Sequence, residues 1–301
     1  LGLFQLSNMN GAKDKIDKRR APGTPIKMLA DLGPGDDGLR RMIDELCAHA
    51  PGPVEILRLQ DVEMSGGCLG CMSCAATGVC TYQDGFSRGE GRQGAGETPI
   101  LLWAASIHDR YLSSRWKMFL DRGFVNGHRP QLGGTRVGFL ISGPLRYLPE
   151  LRRNLEALVQ VSGAELLGFA SDDAATAEET SAGIVARARE IERRSASSWR
   201  RPETFLGVAG HKVFRDLVYE NRALMRADHA HYRKHGLYDF PNVGVGQRLQ
   251  SLWLSVLVRL SKGPRGAMVL RTDRYRQAAS APLALPATRS EASPASLRAL
   301  L

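Results

Sequence analysis

No stretch of the 301 residues approaches the roughly 18 consecutive apolar positions that a membrane helix needs. The N-terminus also lacks the charged, apolar and small-residue order of a secretory signal. The expectation is a soluble, cytoplasmic protein with no membrane span. Acidic residues are fewer than basic ones, 31 against 41, which leaves a formal charge of +10, and about half of that surplus lies after Ser261. A basic balance attracts polyanions without specificity. The chain has neither an aromatic-interleaved basic motif nor a zinc-finger spacing, so specific nucleic-acid recognition is not expected. Cysteine is scarce: there are five, and four of them fall within the thirteen positions from Cys68 to Cys80. So tight a cluster does not suit a disulfide framework spread over a secreted fold, and points to metal chemistry in a reducing compartment.

From Ile26 to Arg194 short apolar runs alternate with amphipathic helical patterns, the signature of βα units that build a parallel sheet. Strands are expected over Ile26–Leu32, Val54–Leu59, Ile100–Ala105, Arg136–Ser142 and Glu165–Ala170. Helices are expected over Asp36–His49, Ser113–Gly123, Leu148–Val161 and Ala175–Arg194; in the third, Leu148, Leu151, Leu155 and Leu158 recur at helical spacing. Five such strands suit a flavodoxin-like, doubly wound α/β sheet, whose ligands bind beyond the carboxyl ends of the strands where strand order reverses. The stretch Gly85–Thr98, with five glycines, interrupts the pattern where a helix would stand. Helical patterns resume at Val213–Arg226 and Val245–Leu260, and the residues after Gly263 lose periodicity and gain Ala, Pro, Ser and Arg. The organisation read from this is an N-terminal segment 1–22 that begins with Leu and so reads as truncated, a main domain 23–200, a helical extension 201–262 and a disordered tail 263–301.

Cys68-x2-Cys71-x2-Cys74-x5-Cys80 places four thiols in one loop, and Gly66, Gly67, Gly70 and Gly78 let the backbone fold around a compact ion or cluster. A 4Fe-4S cluster is the first reading for the metal held by Cys68, Cys71, Cys74 and Cys80. The alternative is a structural zinc on a four-cysteine site in a non-enzymatic protein, although such sites more often use two separated knuckles. Cys47, on a helical face with Ile43 and Leu46, reads as a buried free thiol. His229, His231 and His235 read as a polar surface segment rather than a metal site, and Val243-Gly244-Val245-Gly246 lacks the third glycine and the βα context of a dinucleotide loop.

The run Cys68-Leu-Gly-Cys71-Met-Ser-Cys74-Ala-Ala-Thr-Gly-Val-Cys80, after the strand Val54–Leu59, resembles the compact cluster motif of the iron-sulfur flavoproteins, relatives of the NAD(P)H-dependent FMN reductases. Ser113-Ser-Arg-Trp-Lys117-Met-Phe-Leu-Asp121-Arg122 resembles that family's helix after the third strand, and Val137-Gly-Phe-Leu-Ile-Ser-Gly-Pro144 its fourth strand and flavin-side loop. The resemblance spans about Ile26 to Arg194, and residues Phe214–Pro241 resemble the C-terminal extension of longer members. It implies an FMN at the carboxyl edge of the sheet, a nearby 4Fe-4S cluster relaying single electrons, an NAD(P)H or ferredoxin-like electron donor, a small-molecule, quinone-like acceptor, and a homo-oligomer. Carried onto this chain, the FMN contacts fall to Gly33, Gly35, Ser142 and Gly143, with His108, Arg110 and Ser113 beside them. The phosphate loop here reads Leu32-Gly33-Pro34-Gly35-Asp36-Asp37-Gly38, with acidic residues where the family carries hydroxyls. Asp36 also reads as a helix N-cap.

Overall fold

The computed structural model describes residues 24–90, 99–126, 128–239 and 244–260. Five strands run parallel: β1 (Ile26–Ala30), β2 (Val54–Arg58), β3 (Ile100–His108), β5 (Arg136–Ser142) and β6 (Glu165–Ser171). They lie in the order β2-β1-β3-β5-β6, and a two-residue strand β4 (Tyr111–Leu112) folds back antiparallel on β3. Counting the parallel strands alone gives 2-1-3-4-5, the flavodoxin-like winding with its switch point between β1 and β3. Among the described residues no helix is long and apolar enough to cross a membrane.

Each central strand is apolar on both faces because each face is covered, as a parallel sheet with crossover helices requires. Ile26, Met28 and Ala30 of β1 pack beneath α1 (Asp37–His49) and α5 (Ala177–Ser195), with Leu39, Leu46, Ile184 and Ile191 closing that layer. Leu29, one residue out of phase, joins Trp103 and Phe139 on the other face beneath α3 (Ser114–Arg122) and α4 (Pro149–Val161). Trp116 of α3 is fully buried there, and its indole N–H donates to the Ala104 carbonyl at 3.2 Å.

Three elements depart from the sequence reading. β3 runs on to His108, because Asp109 takes a positive φ of 60° and closes a two-residue turn that pairs His108 with Tyr111. The cysteine run contains a short helix, α2 (Ser73–Thr77), ended by Gly78 at φ 79°. Within the glycine-rich interruption a single helical turn spans Phe86–Glu90, and residues 91–98 lie outside the described residues. So do segment 1–22 and the tail 263–301.

The extension is three helices, α6 (Phe205–Glu220), α7 (Arg226–Lys234) and α8 (Val245–Leu260). α6 crosses α4 at close range: a Cβ on Gly207 would stand 2.6 Å from Gln160 Oε1 and one on Gly210 would stand 2.4 Å from Val161 Cγ1. The Gln160 side-chain Oε1 meanwhile accepts from the amides of Thr204 and Gly207 and from the Thr204 hydroxyl. α7 packs on α2, and Ala75 joins Val218, Met225 and Tyr232 in a small third core. The extension therefore packs on one side of the cysteine loop, at α2.

Candidate functional site

All four clustered thiols, of Cys68, Cys71, Cys74 and Cys80, line one narrow cleft of about 30 Å³ backed by Tyr82, Arg122 and Val125. The loop reaches this shape by stepping twice into left-handed backbone, at Gly70 (φ 62°) and at Met72 (φ 59°). Met72 is not a glycine, and a side chain held there signals a conformation imposed by its surroundings. Cys74 donates its S–H to the Phe124 carbonyl at 3.2 Å, and Cys71 Sγ lies 3.3 Å from the Thr81 hydroxyl. Burial, and then the three neighbouring cysteines, push the Cys74 thiol up to about 11. Loading a metal here must displace its proton, since the thiolate is the ligand.

A buried ion pair holds the loop to the sheet. Arg122, at the end of α3, binds both carboxylate oxygens of Asp84 at 2.7 and 2.8 Å, and both side chains are 1% exposed. The same guanidinium donates to the Gly66 carbonyl and the Ser87 hydroxyl and stacks over Tyr82, 4.2 Å from the ring centre. Burial alone would raise the Asp84 carboxyl, but the hydrogen bonds from Arg122 and from the Ser65 and Ser87 amides hold it well below the usual carboxylate range. Arg122 Nε, buried against the cleft, has no hydrogen-bond partner among the described residues.

These cysteines do not meet at a point. Among the described residues no three His, Cys, Asp or Glu side chains converge closely enough to hold a single metal ion. A tetrahedral zinc needs its sulfurs at about 2.3 Å from one centre, whereas a cubane spreads its four ligands over four irons. The four thiols share one cleft without meeting at a single centre.

The residues expected on the flavin side lie along the carboxyl edge of the sheet, where the donors of Gly33, Ser113, Ser142 and Gly143 are engaged within the chain. The Gly33 amide donates to Asp36 Oδ2 at 2.6 Å, so Asp36 turns back on the loop and caps no helix amide. The Ser142 hydroxyl and the Gly143 amide donate to the two oxygens of Asp172, each at 2.6 Å. Asp172 stands at the first turn of α1, where a Cβ on Gly38 would meet its Oδ2 at 2.9 Å. Gly35 (φ 87°) leaves open space around its Cα. Ser113 caps α3 by accepting from the Trp116 amide and donates its hydroxyl to Asp31, whose other oxygen takes Gln60 Nε2 at 2.6 Å. His108 and Arg110 are exposed at the hairpin tip. Ser106, missed in the sequence reading, is 9% exposed at the end of β3, and its hydroxyl has no partner among the described residues. Asp172 was missed as well, because nothing local in the sequence ties it to Ser142.

Cys47 is half-buried against the α1/α5 layer, and burial, with Asp44 next, pushes its thiol up to about 11. His229 lies 2.8 Å from the Tyr238 hydroxyl, while His231 and His235 stack on one another at 4.1 Å.

The fold and the strand order define a flavodoxin-like α/β protein. No protein-family model matches the chain. A stretch of 74 residues, 25% of this chain and 33% of the relative, is 30% identical to the iron-sulfur flavoprotein of Archaeoglobus fulgidus. The match thus spans about a third of that relative's length. Among solved structures, the Streptococcus pneumoniae TIGR4 flavodoxin aligns over 57% of this chain and 99% of its own at 14% identity and a TM-score of 0.38. An azoreductase from Bacillus anthracis aligns over 57% and 98% at 10% identity and a TM-score of 0.40. The fold assignment rests on the strand order itself.

Proposed function

We propose that this chain is an electron-transfer oxidoreductase in which Cys68, Cys71, Cys74 and Cys80 hold a 4Fe-4S cluster beside an FMN at the carboxyl edge of a flavodoxin-like sheet. The observation that carries it is the single cleft lined by all four thiols and backed by a fixed arginine. The similarity to a protein named an iron-sulfur flavoprotein supports the same pairing. When bound, the cluster supplies one-electron steps and the flavin links one- to two-electron chemistry. The chain's own residues position and tune. Arg122, its charge already paired with Asp84, lines the cleft with an Nε–H that has no partner among the described residues, and the buried Tyr82 and Val125 form the inner wall.

At the sheet edge the donors form an anion cradle at the N-terminus of α1, where phosphates are commonly bound. Gly33, Ser142 and Gly143 supply the hydrogen-bond donors, and Asp36 and Asp172 currently supply the anions. Gly35 leaves room for close backbone approach, and the unpartnered Ser106 hydroxyl is a polar atom that a ligand would satisfy. Gly33, Ser142 and Gly143 would hold an FMN phosphate in place of these carboxylates, and Ser113, His108 and Arg110 would lie nearest the ring. The physiological setting of this reading is a cytoplasmic homo-oligomer of main domain 23–200 and extension 201–262, reduced by NAD(P)H or a ferredoxin-like donor and passing electrons to a small quinone-like acceptor.

Anaerobic purification with metal and flavin analysis and a visible spectrum tests it, on the parent and on Cys71→Ser. The expected result is about four irons per chain with broad brown absorbance, bound flavin, and loss of iron in the variant. Zinc with no flavin would instead establish the structural alternative.

A further inference from the structure

Behind the cysteine cleft lies a second cavity, of about 380 Å³, that shares Cys68 and Cys74 with it. Its size is that of a small-ligand site, and its lining is of the expected kind, apolar with few polar groups. Met72 and Phe124 present their side chains to it although they are 47% and 56% exposed, and Ala75 is buried against it. Met72, held at a positive φ of 59°, lines both cavities. A thioether and an aromatic ring are the side chains best suited to hold a flat, polarisable ring.

The polar group in this wall is built with unusual care. His128 is 14% exposed, and its Nδ1 lies 3.0 Å from Oδ2 of Asp228, a carboxylate with no exposure at all. Asp228 comes from α7, also accepts the His128 amide at 3.3 Å, and faces Arg129 Nε at 3.3 Å. Phe214 of α6 meets the imidazole edge to face at 4.9 Å, and the Tyr232 hydroxyl donates to the His128 carbonyl at 2.8 Å. Ring, tautomer and main chain are thus fixed by three contacts from the extension. With Nδ1–H given to the carboxylate, Nε2 is left as a hydrogen-bond acceptor, and it has no partner among the described residues. Asp121, the carboxylate lining the cavity beside the Cys68 and Cys74 thiols, is held by Lys117.

We propose that this cavity binds a small planar aromatic alcohol, of the phenol or hydroquinone class, with its ring against Met72 and Phe124 and its O–H donating to His128 Nε2. This rests on the function proposed above: a hydroquinone is the two-electron, two-proton reduced form of a quinone-like acceptor, and the cavity shares two cysteines with the cluster cleft. The site is distinct from the flavin edge, so the acceptor meets the cluster side of the molecule. Asp228 acts as a positioning residue.

The test is calorimetric titration of the metal-loaded, full-length protein with 1-naphthol, a redox-inert member of the class, and with naphthalene, which lacks the hydroxyl. The parent is expected to bind 1-naphthol at least tenfold more tightly than naphthalene. Phe124→Ala should weaken both ligands by about the same factor. His128→Asn keeps an N–H for Asp228 but removes Nε2, and should bring 1-naphthol down to the naphthalene level while naphthalene is unchanged. Iron content and the visible spectrum are read on the same samples. Binding of 1-naphthol with this pattern in iron-free protein would uphold the site and sink the cluster reading. Iron-loaded protein that ignores 1-naphthol, or binds it equally in all three proteins, would overturn the site and leave the cluster reading standing. A second copy of the chain covering the cavity would appear as a dimer that fails to bind, and would overturn it too.

Discussion

The cysteine loop and the carboxyl edge of the sheet sit on one scaffold and solve opposite problems. At the edge, the predicted donors of Gly33, Ser142, Gly143 and Ser113 are matched by the chain's own carboxylates, and the Ser106 hydroxyl beside them is left without a partner among the described residues. In the loop, four thiols surround a cleft, a buried guanidinium nitrogen goes without a partner, and a methionine is held in a left-handed conformation. Groups left incomplete by the protein are what a bound cofactor completes. Groups already complete must be released before anything else can use them.

The largest way to break this contrast is at the ion pair under the loop. Arg122→Ala leaves the Asp84 carboxylate buried and alone, and should cost about 3–5 kcal/mol in chemical denaturation, with the Asp84→Ala, Arg122→Ala double variant recovering part of the loss. The same pair sets an acid limit. Because the folded-state carboxyl of Asp84 lies below its unfolded value of about 3.9, its contribution is fully present above that pH and is lost as pH falls further. Stability measured from pH 6 to pH 2 should therefore drop below about pH 4, less steeply in Asp84→Asn; an equal slope in both proteins would remove Asp84 from the account.

At the edge the contrast can be sharpened by emptying the cradle. Asp172→Ala frees the Ser142 and Gly143 donors and should tighten FMN by about tenfold, or ~1.4 kcal/mol, while leaving riboflavin, which has no phosphate, unchanged. If FMN binding weakens instead, Asp172 supports the site and does not compete with it. The smallest effect is expected from Tyr232→Phe, which removes one hydrogen bond to the His128 carbonyl and should cost about 1 kcal/mol in thermal or urea unfolding.

What was legible in the sequence and what was not divides along the range of the interaction. The expected strand Arg136–Ser142 coincides with β5 and Val245–Leu260 with α8, while β1, β2 and β6 differ from expectation by one or two residues at one end. These segments carry their burial pattern within themselves. β3 outran its expected end by three residues because Asp109 adopts a positive φ, a choice that its side-chain chemistry permits but does not announce. The helix over Val213–Arg226 proved to be two, α6 and α7, since Asn221 ends the first and a turn through Leu224 restarts the chain. At the site, the four cysteines were readable from spacing alone. The Asp172 carboxylate on Ser142 and the Asp228 carboxylate on His128 were not, because they bridge 30 and 100 residues and no periodicity records such a meeting.

The packing of α7 on α2 has a consequence in time. The cysteine loop is translated on the order of 150 residues before the helix that packs on α2, which at typical synthesis rates is roughly ten to thirty seconds. During that interval α2 lacks the partner against which Ala75 is buried. On the function proposed above, a metal arriving then would meet a loop whose α2 side is not yet held in place.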